Sequence, residues 1–514
     1  MFALKMIEAS VHVNDILIIT ACLTILFLGY LTLQPVPFDS AEPPILRPKL
    51  PFIGHLIGLI HHKYKYHAIY HGKYNLPAYT LPVLGSKLYI ALSPKLASSI
   101  FRSRTLSFDE SRLAFMGQIV GAEGQALEIW KDSDFTGEFF KVLRRGLTGQ
   151  SLASITATAY DNVAKSLNRL ASDELDVDDL YIWAREIVAV AITTSFYGTK
   201  SPWKRPEVLQ TFWDYHDDSH KLLLNIPPSI IASKASKART VVQKAMEEYI
   251  TANHGMSDDV PQATRDRLIV EQNSGISALD SAKIEVGIVQ AALMNTSTAT
   301  YWLLTEIWNQ PTLLARIRNE LSNMVVEEPS EGANEHLISL DANKLKNQCP
   351  LFVSCLQETL RRNVVDYVTR TPVTDTTITD GSRTYLLRKG QTIQVPLGIL
   401  HKDSGLWGPD AKSWIGDRFM NISDEALPPG FLPFGGGPHM CPGRYFASDI
   451  ILGSAAQLLL SLDVSGADGN PIRVPREQVP WPTTGIGRPE PGAHLRAKIN
   501  RRKGWEKARW TTVY

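Results

Sequence analysis

The chain has 514 residues, of which 44% are hydrophobic and 20% charged, and its formal net charge is +1. This is the composition of a globular protein with enough apolar residues for a large core. A net charge this close to zero gives no overall field for nucleic acid or acidic substrates, so no nucleic-acid partner is expected. The cysteines Cys22, Cys349, Cys355 and Cys441 do not form the pattern of a disulfide framework, which favours a reducing, cytosol-facing location.

An apolar stretch without charges runs from Ile16 to Leu33. A helix over these residues would be about 27 Å long, which matches the hydrocarbon core of a bilayer. A cleaved signal peptide is the alternative, but it would have a shorter apolar region and a small-residue cleavage site. Basic residues are more frequent after the stretch than before it. The sequence therefore predicts an N-terminal leader and transmembrane anchor at 1–34, with the following chain on the cytosolic side.

A proline-rich segment follows the apolar stretch, at residues 35–51. Such segments are extended and semi-rigid, so these residues are predicted to form a hinge between the anchor and a catalytic domain at 52–514. Near the start of that domain, residues 80–92 alternate around a turn and predict a β-hairpin.

Most of the remaining chain has helical periodicity, at residues 94–197 and 203–275 in particular. A small β-region is predicted at 377–394, where Asp380 and Gly381 separate β-branched runs. Residues 445–462 are predicted to form an amphipathic helix. The basic segment 496–509 is interpreted as a solvated tail.

A long helix is predicted from Asp280 to Trp308, because this stretch lacks proline and would be about 43 Å long. Its middle is apolar nearly all round, which indicates burial. A polar break at residues 295–298 begins with Asn295 and Thr296. Hydroxyls in buried helices usually bond to carbonyls one turn earlier, so a structural role is the alternative to a functional one.

A second motif lies in the helix predicted at Pro350–Arg362, where Glu358 and Arg361 share one face at a spacing of three residues. A solvent-exposed ion pair is one interpretation. The apolar neighbours Phe352 and Leu356 favour a buried pair instead.

The third motif is the stretch Phe431–Tyr445, with the sequence FLPFGGGPHMCPGRY. A thiolate that binds a metal needs a backbone that can approach the sulfur closely, and the glycines around Cys441 allow this. A helix predicted to begin near Pro442 favours negative charge on the sulfur. The alternative is a glycine-rich turn around a buried structural cysteine.

The spacing of Phe434, Gly437, Cys441 and Gly443 resembles the haem-ligand loop of the cytochrome P450 superfamily. The polar break, Glu-x-x-Arg and an Asp-Arg-Phe segment precede this loop in the family's order, so the resemblance covers nearly the whole chain. It implies a mainly α fold with small β-sheets, the P450 fold, behind a single transmembrane helix. Residues 291–296 are similar to the branch that includes sterol and bile-acid hydroxylases and prostacyclin synthase.

This resemblance implies that the protein binds haem b through Cys441 as the axial thiolate. Other residues are implied to contact the cofactor: Phe434, Gly435, His439, Arg370, Arg144 and Gly443. Around Arg144 the family's usual tryptophan is absent, and Lys141 and Arg145 are neighbouring candidates. An ordinary surface arginine is the alternative for both Arg144 and Arg370.

The resemblance assigns proton delivery during oxygen activation to Thr296 and Asn295. Most family members carry an acid where this chain has Asn295, so a relay here would run through water. Glu358 and Arg361 are implied to pair with a second arginine, Arg418, and to hold the cysteine loop in place. Gly416 replaces the proline that usually precedes that arginine.

The expected activity is that of a monooxygenase that inserts oxygen from O2 into a hydrophobic substrate, with electrons from NADPH through a separate cytochrome P450 reductase. Similarity to fungal members favours a terpenoid, meroterpenoid or steroid substrate in specialised metabolism, and a single-pass location in the endoplasmic reticulum membrane. Two alternatives remain: a haem-thiolate isomerase or dehydratase independent of O2 and NADPH, and a non-catalytic haem-binding sensor.

Overall fold

The computed structural model describes residues 18–24, 37–48, 53–170, 174–224, 226–328, 336–423, 426–478 and 485–513. The chain forms two compact units. The first comprises residues 1–107 and 368–396, and the second comprises residues 108–367 and 397–514. Of the residues predicted for the site, only Arg370 belongs to the first unit.

The fold is mainly helical. The helices are α1 (Leu56–His62), α2 (Lys65–Tyr74), α3 (Pro94–Arg102), α4 (Asp109–Ala114), α5 (Gly124–Lys131), α6 (Ser133–Gly146), α7 (Gly149–Asn168), α8 (Leu180–Tyr197), α9 (Pro206–Asp218), α10 (Pro228–Ile231), α11 (Ser233–Thr251), α12 (Gln262–Asn273), α13 (Ala278–Trp308), α14 (Pro311–Ser322), α15 (Leu345–Gln348), α16 (Pro350–Asn363), α17 (Leu397–Leu400), α18 (Ser404–Trp407) and α19 (Arg444–Ser461).

The strands are short. They are β1 (Ala78–Val83), β2 (Ser86–Ala91), β3 (Leu106–Ser107), β4 (Leu175–Val177), β5 (Val325–Glu328), β6 (His336–Leu340), β7 (Tyr367–Pro372), β8 (Thr376–Thr379), β9 (Thr384–Leu387), β10 (Thr392–Pro396), β11 (Leu462–Gly466), β12 (Ala497–Arg501) and β13 (Ala508–Val513). They form one sheet in the order β1-β2-β10-β7-β3, two three-stranded sheets in the orders β11-β12-β4 and β13-β6-β5, and the pair β8-β9.

Both predicted β-features are confirmed in the first unit. Strands β1 and β2 pair in antiparallel register, and the two residues between them, Leu84 and Gly85, have φ values of 47° and 78°. Positive φ at both turn positions matches the right-handed twist of the paired strands, which is why two-residue hairpins favour it. The second feature is the β8-β9 hairpin, which begins one residue before the predicted β-region and otherwise lies within it.

Part of the proline-rich segment packs on β1. The Thr80 N–H donates to the Pro44 carbonyl, and the Leu46 N–H donates to the Thr80 carbonyl, each over 2.9 Å. The predicted domain boundaries themselves stay a prediction. Most of the predicted membrane anchor lies outside the described residues. Its described part, residues 18–24, is helical. Among the residues that the structure describes, no helix combines the length and apolarity needed to cross a bilayer.

Helix α13 is the central element of the second unit. It has 31 residues, a length of about 46 Å. It begins two residues earlier than predicted because the Ser277 side chain caps it by accepting the Asp280 N–H. The helices α8, α11, α16 and α19 pack against it. The predicted long buried helix is confirmed.

Two predictions about the C-terminal part of the chain are wrong. Helix α19 is not amphipathic over its length, since residues 450–461 are all buried. The basic segment 496–509 is not a solvated tail, because it contributes all of β12 and the start of β13. Ala497, Ile499 and Ala508 are buried there. These strands pair with β4, β11 and β6, which lie far away in the chain.

The Glu271 carboxyl group lies in the core beside α13 and forms no ion pair among the described residues. Arg267 and Glu285 form a buried ion pair over 2.7 Å, and the Tyr197 hydroxyl also donates to Glu285. Glu271 accepts a hydrogen bond from the Ser281 hydroxyl, but its Oε1 has no hydrogen-bond partner among the described residues. Burial, and then the nearby Glu285 charge, raise the pKa of Glu271 well above its usual range.

Replacing Glu271 with Gln is expected to reduce the loss of stability that occurs as the pH rises from 5 to 8. The ordinary pKa of this side chain is 4.5, and folding raises it. Its stabilising contribution is therefore complete below pH 4.5 and is lost as pH rises through the folded pKa, because only the unfolded chain releases the proton. Between pH 5 and pH 8 the variant should gain about 1 kcal/mol or more over the wild type. Denaturant unfolding at both pH values measures this gain, and a constant difference would contradict the assignment.

Candidate active site

The Glu358 carboxylate on α16 is completely buried between two guanidinium groups. Arg361 donates to it from Nε over 2.7 Å and from Nη2 over 2.8 Å. Arg418 donates from Nε over 3.1 Å and also binds the exposed Asp410 carboxylate over 2.9 Å. The predicted cluster of Glu358, Arg361 and Arg418 is confirmed.

The remaining N–H groups of Arg361 bind the backbone of the segment that leads to the cysteine loop. Nη1 donates to the carbonyls of His401 and Ala411, each over 2.6 Å, and Nη2 donates to that of Ser413 over 2.9 Å. The His401 ring accepts the Leu432 N–H over 3.0 Å. Burial lowers the pKa of His401 to about 3, so the ring is a neutral acceptor. An isolated histidine carries no pattern, and the sequence did not identify it.

The cysteine loop is a tight turn fixed by its own backbone. The Cys441 N–H donates to the Phe434 carbonyl over 3.0 Å. Gly435 and Gly437 have φ values of 73° and 69°, a conformation that side chains disfavour. Gly443, by contrast, lies at negative φ, and a Cβ there would lie 3.9 Å from the Cys441 sulfur. Of these glycines, Gly435 and Gly437 are the ones that the turn requires.

Cys441 is partly exposed and lies one turn before α19. Burial raises the pKa of the thiol, whereas the Gly443 N–H and the positive charge of Arg444 lower it. The Asp366 carboxylate raises it slightly further. A backbone N–H donor and a nearby cation at a helix N-terminus are the features that stabilise a thiolate.

One face of the buried helix α13 is uncovered. Ile288, Ala291, Ala292 and Asn295 are partly or fully exposed, although most of the helix around them is buried. Their spacing of three and four residues places them in one stripe. Since α13 packs against α19, this stripe and the cysteine belong to the same unit. Apart from Asn295 the stripe is apolar, and the small side chains of Ala291 and Ala292 leave room for a bulky ligand.

The hydroxyl groups of the polar break are of two kinds. Some donate hydrogen bonds to backbone carbonyls of α13, and others do not. The Thr298 hydroxyl donates back to the Met294 carbonyl over 2.7 Å, and the Thr300 hydroxyl donates to the Thr296 carbonyl over 2.9 Å. The Thr296 residue is buried, and its own hydroxyl has no hydrogen-bond partner among the described residues. The structural interpretation therefore holds for Thr298, while the Thr296 hydroxyl is available to bind a water molecule or a ligand.

Asn295 contacts residues 485–487, a segment near the C-terminus that the sequence did not identify as functional. Its Oδ1 accepts the Ile486 N–H over 3.1 Å. A Cβ on Gly485 would lie 2.4 Å from that oxygen, so only glycine fits there. Trp302 Nε1 adds a hydrogen bond to the Gly487 carbonyl over 2.6 Å. The acceptor oxygen of Asn295 thus binds backbone, and its predicted part in proton delivery stays a prediction.

The other predicted contacts lie in different surroundings. Arg144 is exposed on α6, and Leu147, just beyond that helix, packs beside Gly443 of the cysteine loop. His439 is exposed, with its ring centroid 5.5 Å from that of Phe108.

The neighbouring candidate Lys141 is exposed and pairs with Glu138 over 2.9 Å. Arg370 is buried on β7 of the first unit, where it donates to the Thr369 carbonyl over 2.8 Å. Burial lowers the pKa of Arg370 to about 10. The cofactor contacts of Arg144, His439 and Arg370 stay predictions.

Comparison with known proteins identifies the family to which these motifs belong. The family model for cytochrome P450 matches residues 43–495. The chain belongs to the cytochrome P450 family. A cytochrome P450 monooxygenase from Gibberella zeae is 28% identical, covering 96% of this chain and 95% of the relative. The P450 monooxygenase nodJ from Hypoxylon pulicicidum is 29% identical, covering 96% of each chain.

More distant P450 relatives support the predicted branch and the fold. Cholesterol 7-alpha-monooxygenase from Cricetulus griseus is 23% identical over 62% of this chain and 66% of its own. The retinoic acid-bound cyanobacterial CYP120A1 structure has a TM-score of 0.66 at 18% identity, covering 90% of this chain and all of that one. The mainly helical P450 fold, the similarity to the sterol and bile-acid branch and the monooxygenase class are therefore confirmed.

The cofactor of this P450 is haem b with thiolate ligation, and a redox partner supplies electrons from NADPH. The second unit fits such a group. Cys441 provides a partly accessible sulfur that receives a backbone N–H, and α13 provides an uncovered apolar face. The predicted chemistry of the site and the donor atoms in the structure therefore agree.

Replacing Glu358 with Gln is expected to destabilise the protein by about 3–5 kcal/mol, because the buried Arg361 guanidinium would lose its counter-ion and Arg418 would keep only the exposed Asp410. Denaturant unfolding measures the loss, and haem content per protein should fall with it. Asp410→Asn is the matched control, since it removes an exposed partner of the same Arg418 and should cost less than about 1 kcal/mol. Equal losses in the two variants would contradict the central role of Glu358.

Proposed function

We propose that this P450 is a membrane-anchored enzyme of specialised metabolism that oxygenates a terpenoid, meroterpenoid or steroid, with Cys441 as the residue that would bind the haem iron. The observation that carries the proposal is the cysteine loop. It holds the partly exposed Cys441 one turn before α19, where the Gly443 N–H lowers the pKa of the thiol. A purely structural cysteine has no use for this arrangement, and the buried Cys355 has none of it.

Bound haem supplies the activation of O2. The residues of the chain supply the surroundings of that chemistry. Cys441 would bind the metal, and the Thr296 hydroxyl would hold a water molecule and pass on a proton. The apolar residues on the uncovered face of α13 exclude bulk water and contact the substrate, which favours a hydrophobic compound.

The proposed substrate class rests on polarity and on relatives. Ile288, Ala291 and Ala292 of the stripe are apolar, which suits a hydrophobic skeleton better than a polar metabolite. One relative is, by its name, a monooxygenase of cholesterol, which has such a skeleton. Relatives that align along almost the full chain come from fungi.

The proposed location is the endoplasmic reticulum membrane, with a single pass at Ile16–Leu33, the catalytic domain in the cytosol, and NADPH–cytochrome P450 reductase as the redox partner. Exposed apolar side chains support membrane contact. In the first unit Ile57 and Ile60 of α1 are about half exposed, and in the second unit Ile230 of α10 is 72% exposed. Large apolar side chains in this exposure range suit a lipid surface.

A haem-thiolate isomerase or dehydratase is the second candidate, and one observation favours it. The residue that precedes Thr296 is the amide Asn295, whose oxygen accepts a backbone N–H. An amide cannot release a proton as a carboxylic acid does. Product formation without NADPH and O2 would select this candidate over the monooxygenase.

Replacing Cys441 with Ala is expected to abolish the red-shifted absorption band of the reduced CO complex, because that band depends on thiolate ligation. Cys355→Ala is the matched control, since Cys355 is also a reduced cysteine but is fully buried and donates to the Gly416 carbonyl. Its band should be unchanged. A red-shifted band that survives in Cys441→Ala would rule out Cys441 as the ligand.

Replacing Thr296 with Ala is expected to uncouple NADPH consumption from product formation several-fold. Thr298→Ala serves as the control, because that hydroxyl is already bound to the Met294 carbonyl. The measurement is the ratio of product formed to NADPH consumed in the reconstituted system, with peroxide release recorded in parallel. Unchanged coupling in Thr296→Ala, or equal uncoupling in both variants, would remove the proton-delivery role.

A further inference from the structure

One cleft of the second unit shares no lining residue with the candidate active site. It has a volume of about 370 Å³ and is lined by the C-terminal parts of α7 and α8 and by residues of the loops that follow α8 and precede α12. Three of the lining residues are basic and exposed: Lys165 near the end of α7, Arg169 directly after it, and Lys204 between α8 and α9. The acidic residue Asp259 also lines the cleft. The cleft therefore carries an excess of positive charge.

The basic side chains of the cleft form few bonds within the protein. Among the described residues, the side chains of Lys165 and Arg169 have no hydrogen bond or ion pair, and Lys204 donates only to the Thr199 carbonyl, over 3.3 Å. The Asp259 carboxylate is bound to the loop after α8, where it accepts the Thr199 N–H over 2.6 Å. Because the three positive charges repel one another, an anion that binds between them is stabilised.

A buried hydroxyl on the α8 side of the cleft has no partner. Thr194 lines the cleft and is 5% exposed, and its Oγ1 forms no hydrogen bond among the described residues. The hydroxyls next to it on α8 differ, since Thr193 donates to the Ala189 carbonyl and Ser195 to the Ile192 carbonyl, each over 2.8 Å. Such bonds are usual for hydroxyls in a helix. A buried polar group without a partner is costly, so the Thr194 hydroxyl indicates a ligand in the cleft.

We propose that this cleft binds a small soluble metabolite through a phosphate ester group. The three terminal oxygens of such a group accept hydrogen bonds from guanidinium, ammonium and hydroxyl donors at the same time. The volume of the cleft lies near the lower end of the range for small-molecule sites, which suits one metabolite better than a protein segment. The proposal does not rest on the proposed function. The alternative is that Lys165 and Arg169 only complement the negative C-terminal end of α7.

The test uses the haem-loaded protein, with glucose 6-phosphate as the probe and glucose as its uncharged counterpart. Calorimetric titration at constant ionic strength gives the dissociation constants, and the wild type should bind only glucose 6-phosphate. Arg169→Gln should weaken this binding about tenfold, because it removes a charged donor. Thr194→Val should weaken it about threefold to tenfold, because it removes one hydrogen bond and keeps the side-chain shape. Without ligand, Thr194→Val should unfold at the same temperature as the wild type or a higher one, which separates lost binding from lost folding.

The matched control is Lys237→Gln, which should bind the probe as tightly as the wild type, because Lys237 on α11 is likewise exposed but does not line the cleft. A wild type that does not bind glucose 6-phosphate would overturn the proposal. Full binding by Arg169→Gln or by Thr194→Val would also overturn it and leave the basic residues as partners of the end of α7. Vesicles that contain phosphatidic acid form a second arm. Binding to these vesicles without binding to glucose 6-phosphate would replace the soluble metabolite with a lipid headgroup and so overturn the proposal.

Discussion

The buried charge cluster of Glu358 with Arg361 and Arg418 is the interaction on which the candidate site depends. One carboxylate serves two guanidinium groups, and Arg361 uses its remaining N–H groups on carbonyls of residues 401–413. Much of the chain between α18 and α19 has no regular secondary structure, so no helix or strand hydrogen bonds fix those parts. Charge-assisted hydrogen bonds to its backbone take over that task.

A neutral histidine connects the charge cluster to the cysteine loop. His401 gives its carbonyl to Arg361 and its ring nitrogen to the N–H of Leu432, at the start of the loop. The loop then turns at Gly435 and Gly437 and enters α19, which packs on α13. Because each step is a hydrogen bond or a helix contact, the sulfur of Cys441 is placed relative to α13 by rigid elements, as a metal ligand requires.

The polar position that precedes Thr296 differs from that of most family members. The long helix carries the amide Asn295 where most of them have an acid, and that amide accepts the Ile486 N–H. Trp302, two turns further along α13, donates to the Gly487 carbonyl of the same segment. The Asn295 side chain is therefore part of the packing between α13 and residues 485–487.

The sequence by itself determined the elements whose signals are local: the turn of the β1-β2 hairpin, the length of α13, the Glu358–Arg361 spacing and the cysteine motif. Tertiary structure alone decided the roles of His401 and Gly485, since each depends on a partner remote in the chain. The same reason explains the wrong prediction for residues 496–509. Their basic side chains suggested a solvated tail, whereas backbone pairing with distant strands makes them part of two sheets.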